Sequence, residues 1–168
     1  MVLINHLKYE LIMETKKKVT PQGYNTLTPY LNIKGAAKAI EFYEKAFGAK
    51  EIMRLSAPDG TVAHAEIEIG DSKFMLAEEN PQWGNLSPLS LGGSPVTLCL
   101  YVEDVDAVFA KALKEGATVT DGMEVKDQFY GERAGSLTDP FGHKWSIMTH
   151  IEDVSTEEMQ RRMDAMFQ

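Results

Sequence analysis

The sequence predicts an α+β fold built from two copies of one βαβββ unit. Three observations carry this. Segments with strand-like alternation and segments with helical spacing follow one another twice in the same order. The glycines that end the two helical segments, Gly48 and Gly116, are each followed by alanine and stand 68 residues apart. The hairpin glycines that follow, Gly70 and Gly142, stand 72 apart, so the two offsets nearly agree and point to internal duplication. Each half has one helix and about four strands, too little to bury a core alone, so the halves must pair.

In the first half, Leu27, Leu31 and Ile33 alternate with Thr28, Tyr30 and Asn32 as in a strand, and Pro29 assigns it an edge position or a bulge. Residues 35–47 carry Ala36, Ala39, Ile40, Tyr43 and Phe47 at helical spacing, closed by Gly48. A strand over 51–55 leads into the turn Pro58-Asp59-Gly60. Residues 62–69 alternate, with Ala63, Ala65, Ile67 and Ile69 on one face and His64, Glu66 and Glu68 on the other. A further strand covers 73–77, and a Pro-, Gly- and Ser-rich loop runs over 80–95. The second half repeats the order: a strand over 96–102, a helix capped by Asp104 and ended by Gly116, strands over 118–120, 133–138 and 144–149, and the turn Asp139-Pro140-Phe141-Gly142. This organisation gives an N-terminal extension (1–24), one domain over 25–150 made of modules 25–79 and 95–150, and a C-terminal helix within 151–168. Ser155 and Glu158 have the spacing of a capping box at that helix. Its stripe of Met159, Met163, Met166 and Phe167 packs either on its own domain or across a dimer.

Acidic residues outnumber basic ones, 25 to 17, and the formal charge of -8 repels nucleic acid. No run of residues approaches the roughly 18 apolar positions of a membrane span. A single cysteine, Cys99, and an N-terminus whose apolar run is broken by His6, Lys8 and Glu10 fit a cytoplasmic protein.

Several segments together resemble the glyoxalase/bleomycin-resistance/extradiol-dioxygenase (vicinal oxygen chelate) superfamily. Residues 40–49 (IEFYEKAFGA) look like the helix and cap that open its modules, and 101–106 (YVEDVD) like the start of the second module. The stretches 129–135 (FYGERAG) and 139–145 (DPFGHKW) look like the closing hairpin. The PhnB-like branch is the one most resembled. The resemblance implies two paired βαβββ modules forming a curled mixed sheet around a cavity, and a homodimer. In metal-using members it also implies one His, Gln or Glu ligand from each of four strand positions. Those positions fall here on Thr28, Met75, Thr97 and Ser146, none a normal ligand for a catalytic divalent ion. No cofactor is therefore expected. The alternative is a divalent-metal-dependent lyase, isomerase or dioxygenase with off-pattern ligands His64, Glu66 and Glu79.

Alternation then sorts the side chains by face. If Leu31, Ile33, Ala65, Ile67, Leu98, Leu100, Trp145 and Ile147 face the helices, the other face carries Tyr30, Asn32, His64, Glu66, Met75, Thr97, Cys99, Ser146 and Met148. That mixed lining suits a small organic ligand. His64 and Glu66 are either a functional pair or an inert hydrogen-bonded one. Trp83 is either a ligand-stacking residue or a lid anchor. In the 126–133 loop, Tyr130 and Arg133 are further cavity candidates, Arg133 either holding an anionic group or pairing with Asp127 or Glu132. Cys99 reads as a buried inert thiol, His143 and His150 as structural, and Trp145 as core.

Overall fold

The computed structural model describes residues 19–167. The helix or edge strand expected near the N-terminus, over 2–13, lies outside the described residues. Among the described residues the architecture is α+β, with two mixed sheets and four helices. In the first module, β1 (Tyr30–Ile33) leads into α1 (Ala36–Phe47), followed by β2 (Lys50–Ser56), β3 (Val62–Ile69) and β4 (Ser72–Glu78). These strands lie in the order β1-β4-β3-β2, with β1 parallel to β4 and the rest antiparallel. Beyond a 3-10 turn over Pro81–Trp83 and the short α2 (Pro88–Leu91), the second module repeats the plan. It has β5 (Thr97–Tyr101), α3 (Val105–Lys114), β6 (Thr118–Val119), β7 (Lys126–Asp127), β8 (Glu132–Thr138) and β9 (Lys144–His150). Its sheet runs β5-β9-β8-β6, with β5 parallel to β9 and β7 also paired to β8. The C-terminal α4 spans Thr156–Ala165.

The amphipathic stripes place the core. Ala36, Ala39, Ile40, Phe42, Tyr43, Ala46 and Phe47 of α1 are buried, as are Val105, Phe109 and Ala112 of α3. The helices pack on each other and on the helix-side faces of both sheets, which share one core. Aromatic rings join the modules: Phe47 and Trp145 centroids lie 4.7 Å apart, and Tyr43 and Trp145 5.5 Å apart. Asp139 ties the junction. Its carboxylate accepts from Tyr43 Oη at 2.8 Å and Trp145 Nε1 at 3.0 Å, and from the backbone of Phe141 and His143, each at 2.9 Å. Burial and then the Asp139 charge push the Tyr43 phenol pKa well up. With both helix-side faces committed to this core, the helix-free faces of the two sheets look away from it.

Local signals account for most elements. Gly48 ends α1 with φ +68, and Asp104 caps α3 by accepting from Ala107 N at 2.9 Å. Two expectations change. A bulge in the β2–β3 pairing, where Ser56 faces Val62 and Leu55 faces His64, turns Ala63 outward and puts Val62 in the core. At α4, Ser155 Oγ accepts from Glu158 N, but the Glu158 carboxylate turns to Arg161 and Arg162, so the capping box is half made. The α4 helix buries no residue, and Met163 and Phe167 stay exposed. It is held instead by Arg162, which donates to Glu152, Glu158 and the carbonyl of Phe129.

Candidate functional site

The helix-free face of the first sheet is set by register. Tyr30 of β1, Met75 of β4 and Glu66 of β3 form one row across the strands. Beside them Tyr30 Oη lies 3.2 Å from His64 Nδ1, and His64 Nε2 is 3.9 Å from Glu66 Oε1. Tyr30 is 49% exposed, while Asn32, His64, Glu66 and Met75 are half-buried. Tyr24 folds over the far end of this face, its ring 5.0 Å from Lys73 Nζ. Its hydroxyl is covered and makes no well-aligned hydrogen bond, and burial, reinforced by neighbouring Glu66, pushes its pKa up to about 12. The chemistry is that of a hydrogen-bonding strip on an apolar ground.

The second sheet presents a different face. Rows of register place Cys99 with Ser146 and Ser136, Tyr101 with Met148 and Ala134, and His150 with Glu132. Thr97 and Cys99 are exposed and Tyr101 is 62% exposed. Cys99 is thus an accessible thiol rather than a buried one, because this face has no covering layer. Glu132 is the exception: only 9% of it is exposed. Its Oε1 lies 3.2 Å from His150 Nδ1, whose Nε2 is 2.9 Å from Asp153. Hydrogen bonds to Asp153 and then Glu132 raise the His150 pKa above its ordinary value. Burial, followed by the nearby Glu132 charge, raises the phenol pKa values of Tyr101 and Tyr130.

Between the modules a cleft of about 620 Å³ runs along β5, its walls including Leu27, Ile69, Lys73, Thr97, Cys99 and Tyr101, with Trp145 also lining it. Among the nine cavity candidates from the sequence, Thr97 lines this cleft. Tyr30, Asn32, His64 and Glu66 gather on the first face. Ser146 lies on the second, and Tyr130 stands over it, beside the Glu132 charge. Trp83 ends the 3-10 turn at 78% exposure, packed on neither face. Arg133 points to the helix side, where it donates to Asp106 at 2.7 and 2.8 Å and to Asp127 at 2.9 Å. The Asp127 pairing matches one sequence reading. Asp106 was not foreseen, and Glu132 pairs with His150 instead. His143 is buried in the turn, and burial lowers its pKa.

A catalytic divalent ion does not fit the residues present. The four strand positions offer two threonine hydroxyls, a serine hydroxyl and a thioether, and Thr28 Oγ1 is spent on Asn25 O at 3.1 Å. The off-pattern set does not assemble either. Glu79 accepts from Ser87 N, Ser87 Oγ and Ser90 Oγ, which with burial opposing and Lys34 assisting hold its pKa down at about 2. Among the described residues no three His, Cys, Asp or Glu side chains gather closely enough to hold a metal.

Sequence reasoning missed Tyr24, Tyr101 and Glu132. The register partner of His150 was the one signal for Glu132, and it needed the strand to begin at 132 rather than 133.

The fold and these faces can be set beside known proteins. Residues 23–147 match the family model described as Glyoxalase/Bleomycin resistance protein/Dioxygenase superfamily. The uncharacterized protein Rv0887c of Mycobacterium tuberculosis is 44% identical over 142 residues, covering 83% of this chain and 82% of that one. The uncharacterized protein At5g48480 of Arabidopsis thaliana is 32% identical over 127 residues, 71% of this chain and 74% of that one. Its X-ray structure superposes with a TM-score of 0.58, covering 74% of this chain and 98% of that one. A Bacillus cereus structure titled as a putative 3-demethylubiquinone-9 3-methyltransferase, PhnB protein, shares the fold at TM-score 0.57 and 21% identity, covering 74% and 99%.

Proposed function

Because the chain belongs to the glyoxalase/bleomycin resistance protein/dioxygenase superfamily, we propose that it binds a small organic molecule on the helix-free faces of its sheets, without a catalytic divalent ion. A second copy of the chain supplies the opposing face, as a homodimer. The observation that carries this is the character of those faces. Each sets phenol, imidazole and carboxylate groups on an apolar ground, and each looks away from the core of its own chain. An apolar wall with a few convergent polar groups is what an organic ligand needs, and a face that its own chain leaves uncovered is completed by an opposing surface. No helix among the described residues is long and apolar enough to cross a membrane.

The test combines three measurements on purified protein. Plasma mass spectrometry reads metal content, sedimentation reads the oligomer, and a compound screen follows tryptophan emission and thermal shift. The expected result is a metal-poor dimer that binds planar organic compounds saturably. Stoichiometric nickel, zinc, iron or manganese that also raises the melting temperature would overturn it in favour of metal-dependent chemistry.

A further inference from the structure

The oxygen of Glu132 that His150 does not hold is the least explained polar atom near either face. Oε2 is fully covered and has no hydrogen-bond partner, on a carboxylate belonging to a residue more than nine-tenths buried. An uncompensated buried carboxylate oxygen is costly, and a protein retains one where something supplies the missing donor. The neighbours indicate what that donor is. The Glu132 charge acts on the Tyr101 and Tyr130 phenols, and the Tyr101 hydroxyl comes near the carboxylate without making a well-aligned hydrogen bond to it. Tyr130 is braced edge-on by Phe129, with centroids 5.1 Å apart, while Tyr101 is 62% exposed. Charge sets the sign. Even with His150 protonated, Glu132 and Asp153 leave the cluster at net −1, within a chain of formal charge -8. Phenol rings beside a buried carboxylate attract a cation, and the bare oxygen requires one that can donate a hydrogen bond.

We propose that Glu132, Tyr101 and Tyr130 form a subsite for the protonated amine of an organic ligand, with Tyr101 swinging aside so that an N–H reaches Glu132 Oε2. The inference rests on the organic-ligand reading above and names the ligand class that one face selects. A metal ion is a poor match, since a single free carboxylate oxygen and two neutral phenols do not make a coordination set.

The test uses the full chain labelled with ¹³C-tyrosine, titrated with benzylammonium chloride and with benzyl alcohol as neutral control. Benzylammonium is expected to shift the ring resonances of Tyr101 and Tyr130 saturably and to bind roughly tenfold or more tighter than the alcohol, the size of one charge-assisted hydrogen bond. Glu132→Gln keeps the side-chain shape and is expected to abolish that preference. If this variant does not fold, the wild-type comparison of amine with alcohol still decides. Equal binding of the two probes, a preference that survives Glu132→Gln, or shifts confined to Tyr24 and Tyr30 would overturn the subsite. Saturable binding of neutral planar compounds without amine preference would sink the subsite and leave the organic-ligand reading standing. If no compound of either kind moves any tyrosine, both fail.

Discussion

The two modules start their helices differently. α3 has a local cap, Asp104, accepting from Ala107 N, and a second acceptor from the last strand, where Thr149 Oγ1 takes Val105 N at 3.0 Å. α1 begins at Gly35, which has no side chain to cap with. Glu78 fills that role from the end of β4, accepting from Gly35 N at 2.7 Å and Ala36 N at 2.8 Å. Glu78 and Thr149 sit at corresponding ends of corresponding strands. One position of the repeat therefore holds a carboxylate where the local cap is missing and a hydroxyl where it is present. The faces diverge in the same way. The first keeps its carboxylate, Glu66, half open beside His64, whereas the second buries Glu132 against His150, with Tyr101 and Tyr130 near enough to feel its charge. Duplication preserved the frame, and the chemistry was divided between the copies.

The largest effect is expected where the copies meet. Asp139→Ala strands four donors, two of them on Tyr43 and Trp145, and should cost at least ~3 kcal/mol in urea unfolding, since each buried orphan costs ~1–3 kcal/mol. A loss below ~1 kcal/mol would mean the modules hold together without this junction. Next comes the helix-start comparison. Glu78→Ala removes the α1 cap outright and should cost ~1–2 kcal/mol, while Thr149→Ala, with Asp104 still in place, should cost about half that. Equal losses would show that Asp104 adds nothing. A smaller effect concerns acid. Because the folded Glu79 pKa is depressed to about 2, its stabilisation of the 80–95 loop is complete above the ordinary carboxylate range. It is lost as pH falls from there toward 2. Trp83 emission and amide exchange across the loop should change in that window and stay flat in Glu79→Gln. The smallest effect is at Arg133. Its ion pairs are partly exposed, so Arg133→Ala should cost under ~1 kcal/mol and leave compound binding unchanged. A large loss of binding would return Arg133 to the site.

What the sequence could tell follows from how local each signal is. Gly48, Gly116, Asp104 and the Asp139–Gly142 turn act on their immediate neighbours, so helix ends and hairpins were legible. Period-two alternation sorted Leu31, Ile33, Ala65 and Ile67 inward and Tyr30 and Thr97 outward, and Trp145 fell in the core as expected. The reading failed where faces depend on register. The bulge at Ala63 is a property of the β2–β3 pair, not of either strand alone. Arg133 and Glu132 exchanged expected roles because the strand already begins at Glu132, so alternation sends the two adjacent side chains to opposite faces, Glu132 beside His150 and Arg133 toward Asp106. Remote partners such as Glu78 with Gly35 leave no trace in the spacing of residues.

Gly131 has a consequence that reaches past its own turn. Its φ is +92, its carbonyl accepts from Ile151 N and Glu152 N at 2.9 and 3.0 Å, and a methyl group there would collide with the Glu152 carbonyl and Val154. The C-terminal segment thus crosses directly over the hinge between Tyr130 and Glu132, and Arg162 clamps α4 to the Phe129 carbonyl on the same loop. The arm and the Tyr130 loop form one lever. A tag fused behind Gln168, or a truncation before α4, changes the load on residues 129–132, so ligand surveys belong on protein tagged at the other end.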